Sequence, residues 1–496
     1  MPIPDRENAR IYIVGAGFAG RAIAREIHAK GVLGKVVAFL DDDGVKIGTK
    51  IEGIPVLGPI KDVVNLLSRQ PADEAIIAIP SASREALKEL YYLLKKAGFA
   101  RIRIVPTIAS IIEGDAHLIQ AREIDPEDLL GRSPVAIGLR ESLQYLRGKR
   151  VLITGAGGSI GSELARQLLQ AGVARLYLYG HGENSIYLID RELRLLQEEG
   201  VGEKTAIVPV LGELKDADHA RFILGRLKTD AIFHAAAYKH VPMMEANPVS
   251  AVENNVLGTR NLVEAALAAG TRRFVLISTD KAVEPVSTYG ASKLIAERIV
   301  LDAAERAGQG REFMVVRFGN VLGSRGSIVP LFQRQIAKGG PVTVTHPEAT
   351  RYFMTIPEAC SLVLKTGGVG KRGSLYLLDM GEPVRITELA EQMIRFNGFE
   401  PGRDIKIDYI GLRPGERVEE RLFSREETLV PTEYPRINRL ERKDPPFALP
   451  ELLGELEPVC RLTAGKEGEY RNRTRLRAIL KHHVPTLIVP DHEPQF

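Results

Sequence analysis

Arg150-Val151-Leu152-Ile153-Thr154-Gly155-Ala156-Gly157-Gly158-Ser159-Ile160-Gly161 is an apolar, β-prone run that ends in a glycine-rich turn, and a helix is expected from about Ser162. Such a run reads as a buried strand. The glycines allow a tight turn and close approach of backbone to an anion, and the helix N-terminus that follows attracts negative charge. The same start occurs earlier: Arg10-Ile11-Tyr12-Ile13-Val14 runs into Gly15-Ala16-Gly17-Phe18-Ala19-Gly20, with a helix from about Arg21.

Short β-rich runs alternating with amphipathic stretches follow both starts. The chain is therefore expected to be α/β, with two Rossmann-type doubly wound parallel sheets, the second carrying a smaller C-terminal substrate-binding lobe. Its 496 residues suit two large domains. The expected divisions are a first nucleotide-binding-like domain over 1–120, an acidic, proline-bearing linker over 121–148, a catalytic domain over 149–445 and an extension over 446–496. A basic helical stretch in that extension, Arg471 to Lys481, is expected to cover a domain surface or a subunit contact.

Composition narrows the partners. Hydrophobic residues at 44% and charged residues at 26% exclude a disordered chain. A net charge of +4, from 67 Lys+Arg against 63 Asp+Glu, gives no support to nucleic-acid binding. Cys360 and Cys460 make neither a disulfide framework nor a metal cluster, which fits a reducing cytoplasm, and no metal is expected. No run approaches the roughly 18 apolar residues of a membrane span. A small-molecule ligand is expected.

In the first loop, Gly15, Gly17 and Gly20 are followed by Asp41 at the end of the next strand, in the spacing of a dinucleotide fingerprint whose acid accepts from ribose hydroxyls. Two roles stay open. The loop binds a nucleotide, or its glycines serve strand–helix packing alone and Asp41-Asp42-Asp43-Gly44 is a solvated turn.

The second loop, with Gly155, Gly158 and Gly161, resembles the extended short-chain dehydrogenase/reductase superfamily, and Tyr289-Gly290-Ala291-Ser292-Lys293 supplies its Tyr-x-x-x-Lys pair. One helical turn separates Tyr289 and Lys293, so both face one site. The Lys293 ammonium is expected to lower the Tyr289 phenol pKa so that it can take a proton from a sugar hydroxyl as hydride leaves. Thr279 stands where the superfamily has its hydroxyl partner.

Asp280-Lys281 follows Thr279, where simple 4-epimerases of the superfamily carry small hydroxyl residues. An acid and an amine side by side suit elimination of water once C4 is oxidised. Asp280 is expected to protonate the departing C6 hydroxyl and Lys281 to remove the C5 proton. Lys239 and Lys293 are the cations expected to keep Lys281 partly neutral.

The segments His234-Ala235-Ala236-Ala237-Tyr238-Lys239-His240-Val241-Pro242, Ser278-Thr279-Asp280-Lys281-Ala282-Val283 and Arg317-Phe318-Gly319-Asn320-Val321-Leu322-Gly323-Ser324-Arg325-Gly326-Ser327 resemble the polysaccharide-biosynthesis family of nucleotide-sugar 4,6-dehydratases. These are the UDP-N-acetylglucosamine 4,6-dehydratases of capsule, flagellin-glycan and protein N-glycan pathways. The resemblance spans about residues 120 to 430, and the N-terminal half resembles the extra nucleotide-fold domain of the larger members.

The resemblance implies a tightly bound NAD or NADP held by Gly155, Gly158, Ser159, Ile160, Gly161, His181, Glu183, Glu213, Leu214, Ala235, Ala236, Ala237, Asn254, Tyr289 and Lys293, with His181 open between a ribose contact and a turn residue. It implies a UDP-sugar, UDP-GlcNAc foremost, held by Lys239, Asn320, Arg325, Arg351, Arg413 and Glu416, with Arg351 making a bidentate diphosphate contact. His234 is expected to pack beside the loop. It also implies a homo-oligomer, at least a dimer, joined through the helix carrying Tyr289.

Two departures stand out. The larger members carry membrane helices before the extra domain, so membrane attachment is not carried over. They often have methionine at the position of Tyr289, which leaves retention or inversion at C5 open. Gly180-His181-Gly182-Glu183, where NAD-preferring relatives place an aspartate, leaves NAD against NADP open. A UDP-sugar 4-epimerase and a non-catalytic dinucleotide sensor are the alternatives.

Overall fold

Val-, Ile- and Leu-rich runs of four to seven residues form the centres of two sheets in the computed structural model, which describes residues 9–30, 34–79, 82, 84–99, 101–104, 122–123, 142–442, 447–490 and 493. Strands buried on both faces need continuous apolar sequence, and these runs supply it. The described residues fall into two units, one within Met1–Ala136, Gln333–Pro341 and Ala390–Lys406, the other within Ile137–Phe332, Val342–Leu389 and Ile407–Phe496.

In the first unit the strands are β1 (Arg10–Val14), β2 (Lys35–Leu40), β3 (Lys50–Ile51), β4 (Ile54–Leu57), β5 (Glu74–Ile77), β6 (Arg101–Ile104) and β7 (Arg122–Glu123), in sheet order β3-β4-β2-β1-β5-β6-β7. The five central strands are parallel, and the two-residue edge strands β3 and β7 are antiparallel to their neighbours. Arg122 and Glu123, placed in the linker on sequence, thus pair with Ile104 and Arg103. Residues 124–132 of that linker lie outside the described residues. Phe396 stacks on Tyr91 at 4.2 Å in this unit, so Ala390–Lys406 departs from the contiguous catalytic span expected on sequence.

The second unit holds β8 (Arg150–Thr154), β9 (Arg175–Gly180), β10 (Ala206–Leu211), β11 (Ala231–His234), β12 (Arg273–Thr279) and β13 (Glu312–Phe318). Short strands follow as β14 (Asn320–Val321), β15 (Val342–Val344), β16 (Thr350–Arg351), β17 (Phe353–Met354), β18 (Leu375–Leu378), β19 (Val384–Arg385), β20 (Ile407–Tyr409), β21 (Glu427–Pro431) and β22 (Ile437–Arg442). The main sheet runs β10-β9-β8-β11-β12-β13-β18-β22-β21, with β22 and β21 antiparallel. Proline occupies both edge strands, Pro209 in β10 and Pro431 in β21. Both units are Rossmann-type. In the second, strand order reverses between β8 and β11, and ligands of open α/β sheets bind in the crevice at such a point.

The helix Thr288–Arg306 is buried on nearly every side. Its Ile295, Ile299 and Val300 share a core with Leu452, Leu456, Leu476 and Leu480, from the helices Leu449–Cys460 and Arg473–His483. The C-terminal extension therefore packs on the helix through which dimerisation was expected. No helix among the described residues is long and apolar enough to cross a membrane.

Candidate active site

Glycine at three positions shapes the loop after β8. Gly155 has φ +65°, and a Cβ there would meet the Ala236 Cα at 2.8 Å. A Cβ on Gly157 would meet the Ser185 Oγ at 2.5 Å, and one on Gly161 the Gly155 carbonyl oxygen at 2.2 Å. The helix Ser159–Gln170 can therefore start directly against the loop and the end of β11. Thr154 and Thr259 hydroxyls lie 2.6 and 2.9 Å from the two ring nitrogens of His234. Burial, with Lys293 nearby, lowers the His234 pKa to about 3, so the ring is a neutral bridge beside the loop, as the sequence reading held.

A cavity of about 900 Å³ opens above this loop. Its walls include Gly155, Gly158, Ser159, Ile160, Gly161, Ala235, Ala237, Lys239, Thr279, Lys281, Tyr289, Lys293, Asn320, Arg325, Arg351, Arg413, Glu416 and Glu420. His181, Glu183, Glu213, Leu214, Ala236, Asn254 and Asp280 are not among its lining residues. Leu214 is buried, Glu213 is exposed and pairs with Lys215, and Asn254 donates to the Asn255 Oδ1 at 3.0 Å. Asn255 was missed on sequence. It exchanges two hydrogen bonds with the Tyr238 backbone and donates to the Ser292 Oγ at 2.9 Å, tying the Ala235–Tyr238 stretch to the Tyr289 helix.

At the end of β12 the chain makes a tight turn over Asp280–Ala282, where the Thr279 Oγ1 donates to the Asp280 Oδ1 at 2.8 Å. Asp280 is 0% exposed, and its Oδ2 has no hydrogen-bond partner among the described residues. Lys281 Nζ donates to the Asp280 Oδ1 and the Asn320 Oδ1, both at 3.0 Å, and lies 3.6 Å from the Glu420 carboxylate. Gly290 lets the next helix pack against this turn, since a Cβ there would meet the Lys281 carbonyl oxygen at 2.3 Å.

Electrostatics corrects two expectations. Burial lowers the Lys281 pKa most strongly, but Asp280 and Glu420 together outweigh it and hold the group above its ordinary value. The cation opposing them is Arg351, where Lys239 and Lys293 were expected. Two carboxylates so close keep Lys281 protonated at rest. The Tyr289 phenol is pushed up to about 12, by burial first, and the cation that lowers it is Lys281 rather than Lys293. Lys293 itself is lowered to about 8 by burial, against the pull of Glu297, and donates to the Ile277 carbonyl at 2.8 Å. Behind it the buried Arg317 binds both Glu297, at 2.7 Å, and Glu427, at 2.9 Å, and Glu297 accepts from the Ser278 Oγ at 2.5 Å.

The expected diphosphate cations are partly engaged elsewhere. Arg351 donates to the carbonyls of Thr350, Val418 and Arg417 at 2.6, 2.9 and 2.8 Å, so three of its five N–H groups are engaged, two of them fastening the 413–420 segment, while the side chain also lines the cavity. Arg413 and Glu416 bind each other. Arg325 donates to the Gly157 carbonyl, and its N–H to the Ser159 Oγ at 3.1 Å. Lys239, lowered by burial and by Arg325, reaches the Ser324 Oγ at 3.4 Å.

In the first unit, Gly15 has φ +102°, and a Cβ on Gly20 would meet the Gly15 carbonyl oxygen at 2.0 Å. Of the three loop glycines, Gly17 alone faces open space. Asp41 accepts from the Ala16 N–H at 2.8 Å, the Asp43 N–H at 2.9 Å and Lys46 at 3.2 Å. Its carboxylate, for which ribose contact and a solvated turn were both open, fastens the loop.

A family model described as polysaccharide biosynthesis protein matches residues 151–442. The chain belongs to that family. A second model, described as a CoA-binding domain, matches residues 5–106. Among relatives of the family, a probable polysaccharide biosynthesis protein EpsC of Bacillus subtilis is 41% identical over 432 residues, covering 87% of this chain and 71% of the relative. A UDP-N-acetylglucosamine 4,6-dehydratase (inverting) of Campylobacter jejuni is 31% identical over 290 residues, covering 58% of this chain and 81% of the relative. The X-ray structure of Pen from Bacillus thuringiensis superposes with a TM-score of 0.55 at 32% identity, covering 60% of this chain and 89% of that one.

Proposed function

We propose that the chain is a nucleotide-sugar 4,6-dehydratase acting on a UDP-sugar, UDP-GlcNAc foremost, with a nicotinamide dinucleotide as resident cofactor. The observation that carries this reading is the buried Asp280 side chain, bonded to Lys281 at the wall of the same cavity that Tyr289 lines. The glycine cradle fits a dinucleotide, because Gly155 and Gly161 have no room for side chains and Gly155, Gly158, Ser159 and Gly161 face the cavity. Bound there, the cofactor supplies a hydride acceptor and donor.

Tyr289 takes the proton of the sugar C4 hydroxyl. It does so as the phenolate, the form that Lys281 favours against the burial that pushes the phenol up to about 12. Moving one proton from Lys281 to Asp280 across their 3.0 Å bond yields an amine base and a carboxylic acid together. The amine takes the C5 proton, the acid gives its proton to the C6 oxygen, the C6–O bond breaks and water leaves. That elimination returns the ion pair. Lys239, Arg325, Arg351 and Arg413 are the cavity-lining cations that receive the diphosphate in this reading.

Incubating the purified chain with UDP-GlcNAc, followed by NMR and mass spectrometry, is expected to show loss of one water and a 4-keto-6-deoxy sugar. Unchanged mass with altered C4 stereochemistry would make it a 4-epimerase. Bound cofactor without any sugar product would leave a dinucleotide sensor.

A further inference from the structure

The family match ends at residue 442, yet the chain beyond it reaches the loop that joins the two halves of the site. Arg477, on the helix Arg473–His483, is 1% exposed. Its Nη1 donates to the Glu245 Oε2 at 2.8 Å and the Thr288 Oγ1 at 3.0 Å, its Nη2 to the Glu245 carbonyl at 2.7 Å, and its Nε to the Glu493 carboxylate. The second oxygen of Glu245 accepts from the Thr288 N–H at 2.6 Å. Thr288 is the residue before Tyr289. Farther along, the Thr486 Oγ1 donates to the Pro285 carbonyl at 2.8 Å and the Ile488 N–H to the Val286 carbonyl at 3.2 Å.

Pro285 and Val286 join the turn that carries Lys281 to the helix that carries Tyr289, and Thr288 is the first residue of that helix. One C-terminal segment holds all three. Covering an apolar helix needs only apolar side chains, and Leu476 and Leu480 already provide them. A buried guanidinium is costly to desolvate unless it is paired, so its use here goes beyond covering. What it adds is direction, because its planar fork fixes Glu245, and through it Thr288, in one orientation.

We propose that residues 473–488 form a positioning strap, with Arg477 as its anchor, that sets Tyr289 against the Asp280–Lys281 turn. Arg477 is a positioning residue, since it lies outside the cavity lining. The proposal rests on the dehydratase reading of the site, and it is tested on the full chain in a way that separates the two. Arg477→Met and Thr486→Val are compared with the wild type by hydrogen–deuterium exchange, by cofactor titration and by turnover of UDP-GlcNAc. Arg477→Lys serves as the conservative variant.

Exchange in peptides covering Ala282–Lys293 is expected to rise about tenfold in Arg477→Met, with β8 and β11 unchanged. The kcat is expected to fall roughly ten- to hundredfold at constant KM and cofactor affinity, because a displacement of about 1 Å at a reacting group costs that much. Arg477→Lys is expected to recover part of the loss, and Thr486→Val to show a smaller fall in kcat with the same constant KM. Unchanged exchange in that segment, or a rise spread over the whole unit, would overturn the strap. So would a lost kcat accompanied by an equal loss of cofactor binding. If the wild type turns over no sugar, the dehydratase reading fails, while the exchange comparison still decides the strap.

Discussion

Glu420→Gln tests the charge balance at the centre of the site. In the structure, the carboxylate lies 3.6 Å from the Lys281 Nζ and 3.9 Å from the Arg351 Nε. At that distance, with an effective dielectric of about 20, two opposite unit charges attract by about 4–5 kcal/mol, an upper limit for what the amide removes from the Lys281 ammonium. Because each 1.4 kcal/mol is tenfold, the ceiling on the rise in neutral amine is about a thousandfold. The Lys281 side chain is 21% exposed and water screens part of the attraction, so a rise of roughly ten- to hundredfold is expected. Arg351 works in the same direction, since losing Glu420 leaves its repulsion of Lys281 less compensated.

The assay is competitive acetylation of Lys281 between neutral and alkaline pH, read by mass spectrometry against the exposed lysines as internal standards. Glu420→Gln is expected to acetylate at Lys281 roughly ten- to hundredfold faster than wild type near pH 8, scaling with the neutral fraction. Asp280→Asn moves the same way. Equal rates in Glu420→Gln and wild type would refute the argument that Glu420 holds Lys281 protonated. The outcome does not depend on the identity of the sugar.

Tyr289→Phe is expected to lower kcat by about 10²–10⁴-fold while cofactor affinity stays within twofold of wild type, checked by product formation and equilibrium titration. Arg317→Met strands two buried carboxylates and is expected to cost about 3–5 kcal/mol in denaturant unfolding followed by circular dichroism. Glu427 is held below its ordinary pKa, with burial opposing and Arg317 prevailing. Its contribution is therefore present above the unfolded pKa and lost as pH falls, so the Arg317→Met penalty is expected to shrink in acid; a penalty equal at all pH values would contradict the pairing. Lys293, with a folded pKa of about 8 against an ordinary 10.5, binds fewer protons folded than unfolded between those values. Wild-type stability relative to Lys293→Met is thus expected to rise by about 2–3 kcal/mol between those two pH values and to level off outside them. A flat difference would show that Lys293 titrates normally.

Local chemistry was legible in the sequence where it depends on short spacing. The glycine loops, the Asp280-Lys281 step and the single turn between Tyr289 and Lys293 each declare their geometry within a few residues. Glu420, Asn255 and Arg477 did not, because their partners lie 139, 37 and 232 residues away and only packing brings them together. Arg351 and Asp41 show the opposite error. Each has the right residue type at the right spacing, but backbone groups brought in by the fold, at Val418 and Arg417 for Arg351 and at Ala16 for Asp41, also engage the side chain. Spacing shows that a charge is near a site, whereas only a hydrogen-bond account shows whether it is free.

The edges of the two sheets carry a further consequence. A bare edge strand is a template onto which another chain can hydrogen-bond. Here β3 and β7 are two residues long, and β10 and β21 each contain a proline, which has no N–H to give. Continuous β-addition, whether by a peptide ligand, by a second copy or in an aggregate, is thereby discouraged at the outermost described strand on either side of both sheets. Any assembly of this protein is consequently expected to be written in side chains on helices and loops, where single substitutions can tune it, and not in the sheet backbone, where they cannot.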